Sequence, residues 1–264
     1  MKWFKRLAMV AGVAVLAVVL VACGKTNRTQ KASLVHPGTL TVGLEGTYAP
    51  YSYRKDGKLT GFEVELARKL AKQMGYKVKF VPTKWDSLIA GVGAHKFDMV
   101  LNNVVMTPQR KKAYAFSHPY IYSKSALIMK KDNQTIKNAK DMKGQRIAAA
   151  TGTVNADNVK KFGGKVVNNN DFATAISLIR QNRVQAALNS SEAFSYYQGQ
   201  QHASDLKQVV LPTKQIPAQK IGVLMSKHNP GLVQKTNQAL SHLRKTGELK
   251  KLSEKYFHQD ITKP

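Results

Sequence analysis

The chain has 264 residues, 43% hydrophobic and 22% charged, enough apolar material for one large or two medium globular cores. A single cysteine, Cys23, excludes an intramolecular disulfide, so packing must stabilise the fold. The 42 basic and 15 acidic residues give a net charge of +27, which attracts polyanions over a Debye length of about 10 Å. No zinc-finger, basic-zipper or aromatic RNA-binding signature accompanies that charge, so nucleic acid is not expected as a partner.

Lys2, Lys5 and Arg6 precede an apolar run over residues 7–22 that ends at Cys23. Basic residues followed by a short apolar run are the pattern of an export signal, and the run falls short of the roughly 20 residues of a spanning helix. Leu20-Val21-Ala22-Cys23 resembles the lipobox of bacterial lipoproteins. This implies removal of residues 1–22 and lipidation of Cys23. Two acyl chains, at about 0.8 kcal/mol per buried methylene, hold a soluble domain on a membrane. The expected address is the extracytoplasmic face of the cell membrane, with residues 23–37 as a polar tether.

Strand and helix patterns then alternate. Residues 39–44 read as a strand, and residues 62–74 as a helix with Phe62, Leu66, Leu70 and Met74 on one face. Gly75 stands where a helix C-cap favours glycine. Residues 77–81 read as strand, 86–92 as a short helix and 97–101 as strand, an order that predicts a parallel α/β sheet. A second unit begins near Ala126, with strands over 126–130 and 146–150. Asp171 starts a helix with Phe172, Ala175, Ile176 and Ile179 on one face, and residues 184–188 follow as strand. Residues 221–225 form a late strand. Asn229 and Pro230 supply an N-cap and a first helical residue to a helix with Val233, Thr236, Leu240 and Leu243 on its apolar face. An amphipathic piece over 248–257 closes the fold. Ligands bind beyond the carboxyl ends of parallel strands, so a cleft between two such units is the expected site.

Four stretches, taken in order and spacing, resemble family 3 of the solute-binding lipoproteins, the polar amino-acid receptors of ABC transporters. They are Gly43-Leu44-Glu45-Gly46-Thr47-Tyr48-Ala49-Pro50-Tyr51 with Gly61-Phe62-Glu63; Lys96-Phe97-Asp98 leading to Asn102-Asn103-Val104-Val105-Met106-Thr107-Pro108-Gln109-Arg110; Thr151-Gly152-Thr153-Val154-Asn155; and Gly247-Glu248-Leu249 with Tyr256-Phe257. The resemblance implies a two-lobed, periplasmic-binding-protein-like type II α/β fold. Lobe 1 would take residues 38–124 and 220–264, lobe 2 residues 125–219, and the ligand the cleft between them. It implies a monomer without cofactor or metal that passes a small amino acid to a permease and its ATPase. No nucleophile elbow, phosphate loop or metal-spaced histidines indicate an enzyme.

The chemistry of the matched residues is consistent with that task. A planar guanidinium can grip both oxygens of a carboxylate, and the family match puts Arg110 there. The loop of Thr153, Val154 and Asn155 would open a helix and present backbone N–H groups to the same anion. Val154 departs from a frequent hydroxyl residue, which removes side-chain donation only. Tyr48 and Trp85 are expected as aromatic walls, and Glu45 as an acid facing the ligand. Asn102, Asn103 and Val105 lie on a strand-end segment that offers backbone groups, Val105 replacing a frequent serine or threonine. Relatives usually align an aspartate with Ser190 to take the ligand's ammonium. Serine lacks that charge, which leaves Glu192, Glu45 or an atypical ligand. Glu45-Gly46-Thr47-Tyr48-Ala49-Pro50 and Trp85-Asp86-Ser87-Leu88 resemble the cystine-binding branch, ahead of receptors for cationic or polar amino acids. The basic chain also resembles basic surface proteins of lactic acid bacteria, which implies adhesion to anionic surface polymers as an alternative.

Overall fold

The structure, a computed structural model, describes residues 32–264. The export segment, Cys23 and most of the expected tether lie outside the described residues.

The first lobe opens with β1 (Thr39–Leu44), whose Leu40, Val42 and Leu44 are fully buried. The hairpin of β2 (Tyr53–Lys55) and β3 (Lys58–Thr60) leads into α1 (Phe62–Met74). Then come β4 (Lys77–Pro82), α2 (Trp85–Gly93), β5 (Met99–Val100), α3 (Pro108–Ala113), β6 (Ala115–Phe116) and β7 (Ile121–Ser123). The second lobe holds β8 (Ser125–Lys130), β9 (Arg146–Ala148), α4 (Val154–Lys161), β10 (Lys165–Val167), α5 (Phe172–Arg180), β11 (Ala186–Ser190), α6 (Ser191–Gln201) and β12 (Leu206–Val210). The chain returns through β13 (Gln219–Ile221) to β14 (Leu224–Met225), α7 (Pro230–Lys245) and α8 (Glu248–Phe257).

Each lobe has its own five-stranded sheet, ordered β4-β1-β5-β14-β6 in the first and β10-β9-β11-β8-β12 in the second. β7 and β13 pair antiparallel into a ribbon through which both crossings between lobes run. The parallel prediction holds for β4-β1-β5 and β10-β9-β11. It misses the antiparallel strands β14, β6, β8 and β12 that complete the sheets. The strand predicted over 221–225 is broken at Gly222, where the chain leaves the ribbon for the first sheet. A Cβ on Gly222 would sit 2.9 Å from the Met106 sulfur.

Helix ends follow the local chemistry. Gly75 takes the left-handed C-cap of α1, and the side chains of Asn229 and Asp171 cap α7 and α5. The last residues of the expected tether are anchored to the first lobe. Ala32 and Leu34 pack on the main core, and Val35 N–H donates to the buried Asp98 carboxylate at 2.7 Å. Composition could not show this anchoring, because backbone groups make it.

The loop carrying Tyr48 is latched to α1. Phe62 and Glu63 N–H donate to the Pro50 and Tyr51 carbonyls at 2.8 and 2.9 Å. This needs Gly61 at φ 126°, where a Cβ would lie 2.3 Å from the Tyr51 oxygen. Glu63, two residues after Gly61, is fully buried. One of its oxygens accepts from Asn103 N–H at 2.6 Å and from the Tyr120 hydroxyl, while the other has no partner among the described residues. Burial pushes this carboxyl up to about 7, because desolvation outweighs the two donors that favour its charged form.

Gly61→Ala should cost more than about 1 kcal/mol of stability, read from denaturant unfolding, since both backbone sign and space oppose it. For Glu63 the folded state keeps a proton that the unfolded chain releases near 4.5. Its stabilisation is therefore complete below that pH and lost as pH rises through about 7. The loss amounts to roughly 3 kcal/mol. Glu63→Gln should flatten this decline; wild-type and variant curves that run parallel from acid to mild base would refute it.

Candidate functional site

A partly open cavity lies between the lobes, lined by both. Its residues sit at the carboxyl ends of parallel strands: Glu45 after β1, Asn102 and Asn103 after β5, Thr153 to Asn155 after β9, Asp171 after β10 and Ser190 at the end of β11. About 90 Å³ is open to the centres of water molecules, against the roughly 10–15 Å³ that one water needs. The space admits a small solute.

Arg110 forms the basic end. Thr107 caps α3, accepting Arg110 N–H at 3.1 Å, and Pro108 starts the helix, which sets the arginine's direction. Its Nη1 donates to the Val105 carbonyl and its Nη2 to the Gly152 carbonyl, both at 2.9 Å, one partner in each lobe. The Trp85 ring lies 5.5 Å from the guanidinium carbon, and Trp85 Nε1 donates across the cleft to the Thr151 carbonyl at 3.1 Å. No carboxylate forms an ion pair with Arg110 among the described residues. Burial holds its pKa below the ordinary value, with Asp157 opposing, yet an arginine stays charged. A half-buried cation served only by neutral carbonyls and one aromatic face is a site waiting for an anion.

The loop opposite supplies the expected helix start. Thr153 is the N-cap of α4: its hydroxyl accepts Ala156 N–H at 3.2 Å and donates to the Ala150 carbonyl at 2.6 Å. That side chain is thus occupied in shaping the loop. Val154 and Asn155 occupy the first turn of α4, whose N–H groups lack intrahelical partners.

Glu45 and Asn102 bond reciprocally. Asn102 Nδ2 donates to Glu45 Oε2 at 2.6 Å, and Glu45 N–H donates to Asn102 Oδ1 at 2.8 Å. Burial raises the Glu45 pKa, Asn102 lowers it, and the charge of Asp171 raises it further. Asp171 lines the same cavity from the other lobe. Its place at a helix start was legible in the sequence, its place in the cleft was not. Asn103, in the left-handed region at φ 48°, is held by Glu63 below. Tyr48 stands 6.3 Å from Phe172 and donates to Asn189 Oδ1 at 2.6 Å. Val105 contributes its carbonyl to Arg110 rather than its side chain.

Glu192 does not line the cavity. It is 4% exposed, and its carboxylate accepts from Ser190 Oγ at 2.7 Å, Ser123 Oγ at 2.9 Å and Lys124 N–H at 3.2 Å. Ser190 caps α6 and bonds the Tyr51 hydroxyl at 2.8 Å. The expectation that Glu192 could reach into the cleft is corrected: three donors around the interlobe junction hold it behind Ser190. Lys124, Asn169 and Asn189 join the lining without having been expected there, as does Phe172, which the sequence placed only on the apolar face of α5.

The lobes are closed on each other through Tyr48–Asn189, Tyr51–Ser190, Trp85–Thr151 and Arg110–Gly152, together with Tyr196 Oη donating to Tyr53 Oη at 2.8 Å. An ancestral arginine-binding protein bound to glutamine has a TM-score of 0.79 at 32% identity, over 85% of this chain and all of that one. The L-cystine solute receptor of Neisseria gonorrhoeae, in its unliganded open conformation, reaches only 0.60 at 36% identity, over 87% and 98%. The lower score at the higher identity agrees with a closed arrangement here. The L-cystine-binding protein TcyJ of Escherichia coli K12 is 37% identical over 262 residues, 94% of this chain and 95% of its own. Residues 40–259 match the family described as bacterial extracellular solute-binding proteins, family 3, and the chain belongs to that family.

Proposed function

We propose that this chain is the extracytoplasmic receptor of an amino-acid ABC transporter, capturing a small amino acid by closure of its two lobes. The observation that carries this reading is Arg110, a cation bonded to one carbonyl from each lobe and lacking a carboxylate. A ligand carboxylate there completes the charge and touches both lobes at once, so it favours the closed form by contacts that the open form lacks. Closure about the β7–β13 ribbon then presents the loaded protein to a permease driven by an ATPase. The reading includes capture and release and no bond-breaking step. Lipidation at Cys23 would hold the receptor on the cell membrane.

Cystine is the first ligand, followed by a cationic and then a polar amino acid. Four charged side chains line the cavity, Glu45 and Asp171 against Arg110 and Lys124. Cystine carries two ammonium and two carboxylate groups, which such a lining matches in sign and number. The relatives named for cystine support the same order.

A second reading rests on the net charge of +27: the exterior would adhere to anionic surface polymers. Adhesion of that kind weakens steeply with salt, whereas capture in an enclosed cleft does not.

In a thermal-shift screen of the domain against amino acids, the true ligand at a hundredfold excess over Kd should add about 2.7 kcal/mol of stability at low and high salt alike. Arg110→Ala should weaken its binding by roughly 2–5 kcal/mol in calorimetry, and Arg110→Lys, lacking the fork, should recover only part. Unchanged affinity in a folded Arg110→Ala variant would remove Arg110 from the site. Binding to mucin or anionic polymer alone, lost at high salt, would favour adhesion.

A further inference from the structure

We infer that Tyr51 and Glu192, neither of which lines the cavity, are positioning residues that latch the lobes together through Ser190, so that closure is set in part by the chain's own contacts. The inference rests on the lobe closure in the proposed function and holds whatever solute the cleft takes.

Two consecutive residues at the end of β11 meet two tyrosines of the first lobe. Tyr48 donates to Asn189 Oδ1 at 2.6 Å, and Tyr51 Oη lies 2.8 Å from Ser190 Oγ. The direction of the second bond follows from the other contacts of Ser190. Its one proton goes to the Glu192 carboxylate at 2.7 Å, and it accepts Ala193 N–H at 3.2 Å. Tyr51 is therefore the donor, and the single proton and two lone pairs of the serine hydroxyl are all used. Asn189 Oδ1 is filled in the same way, by Tyr48 and by Ser190 N–H at 2.7 Å. Both residues line the cavity, yet these two oxygens have no capacity left for a solute. Their bonds run between the lobes instead.

Each side of the latch is held within its own lobe. Tyr48 and Ser52 exchange backbone hydrogen bonds at 2.7 and 2.9 Å, and Gly61 lets the loop carrying both tyrosines dock on α1. Tyr51 is fully buried, its ring 5.0 Å from Tyr48 and 5.3 Å from Phe257. Opposite, Glu192 accepts from Ser123 Oγ and Lys124 N–H in the crossing out of β7. One carboxylate thus ties the crossing to the start of α6 and, through Ser190, to the Tyr51 hydroxyl. Groups already ordered lose little side-chain entropy on contact. Opening exchanges the interlobe bonds for bonds to water, and the net difference favours the closed form. A solute then adds its contacts to an equilibrium that the chain has already biased.

Tyr51→Phe removes one hydroxyl, keeps the ring and leaves the cavity lining unchanged. Pulsed electron paramagnetic resonance on the solute-free chain is the test, with Cys23→Ser and spin labels at the exposed positions Ala94→Cys and Lys160→Cys, one in each lobe. The parent chain should show a closed population without solute. Tyr51→Phe should lower the closed-to-open ratio about fivefold, the effect of one net hydrogen bond. Ser190→Ala should add little to that loss, since both substitutions delete the same bond. Tyr256→Phe, which loses a bond to Glu65 inside the first lobe, should leave the ratio unchanged. In calorimetry, Tyr51→Phe should weaken whichever of cystine, arginine and glutamine the wild type binds, by the factor by which the closed fraction falls. Coincident distance distributions for the parent and Tyr51→Phe, or a solute-free parent that is open only, would overturn the latch and leave amino-acid capture standing. Distances that separate as expected in a chain that binds none of the three solutes would support the latch and overturn amino-acid capture.

Discussion

The guanidinium of Arg110 is divided between the two lobes, giving one hydrogen bond to Val105 and one to Gly152, each 2.9 Å long. Trp85, covering its face, bonds to Thr151 in the same opposite loop. The bonds to Gly152 and Thr151 are two of the five side-chain hydrogen bonds named above that join the lobes. Carbonyl dipoles can solvate a cation but cannot neutralise it. On the proposed reading, a ligand carboxylate would supply what the carbonyls cannot, and would add contacts to Arg110 from one lobe and to the first turn of α4 from the other.

The fold serves that interaction by aiming strand ends. In both lobes the parallel strands stop at the cleft, and the residues immediately after them are those that line it. Some of these strands are short, two residues in β5 and three in β9 and β10. The ribbon of β7 and β13 is the only paired structure between the lobes among the described residues, and the buried carboxylate of Glu192 ties its exit to α6 through Ser123, Lys124 and Ser190. An acid that could have faced the ligand is thereby committed to the hinge. Its charge is stabilised by three donors, in agreement with the rule that buried charges are hydrogen-bonded.

What the sequence revealed follows from how local each signal is. α1, α7 and α8 were legible because a helical apolar stripe and its caps lie within a few residues of one another. β1 was legible as a continuous apolar strand. The sheet additions β6 and β12 were not, because pairing between distant segments leaves no period in two to five residues. The same limit applies to the cleft. Arg110, Glu45 and Tyr48 stood out through motifs at one strand end, but Asp171 shows only the pattern of an N-cap. Whether a cap also faces a ligand depends on the other lobe. Glu192 was misplaced for a related reason. Two residues of spacing from Ser190 say nothing about which side of the strand end a side chain takes. The tether was overextended because its hold on the first lobe runs through backbone N–H groups that any composition would possess.

The charge of the exterior and the charge of the cleft answer to different physics. The ion pairs among the described residues, such as Lys69–Glu248 at 2.6 Å and Arg180–Asp205 at 2.8 Å, are solvent-exposed and weak. With 42 basic residues and 15 acidic ones, most surface cations have no acid to meet. Their field reaches about a Debye length and fades with salt. It concentrates anionic polymers near the protein without distinguishing one small solute from another. Inside the cleft, screening by water is reduced and each lining charge must find its own opposite. There the few lining charges, Glu45, Asp171, Arg110 and Lys124, set the local field, and the many lysines outside do not.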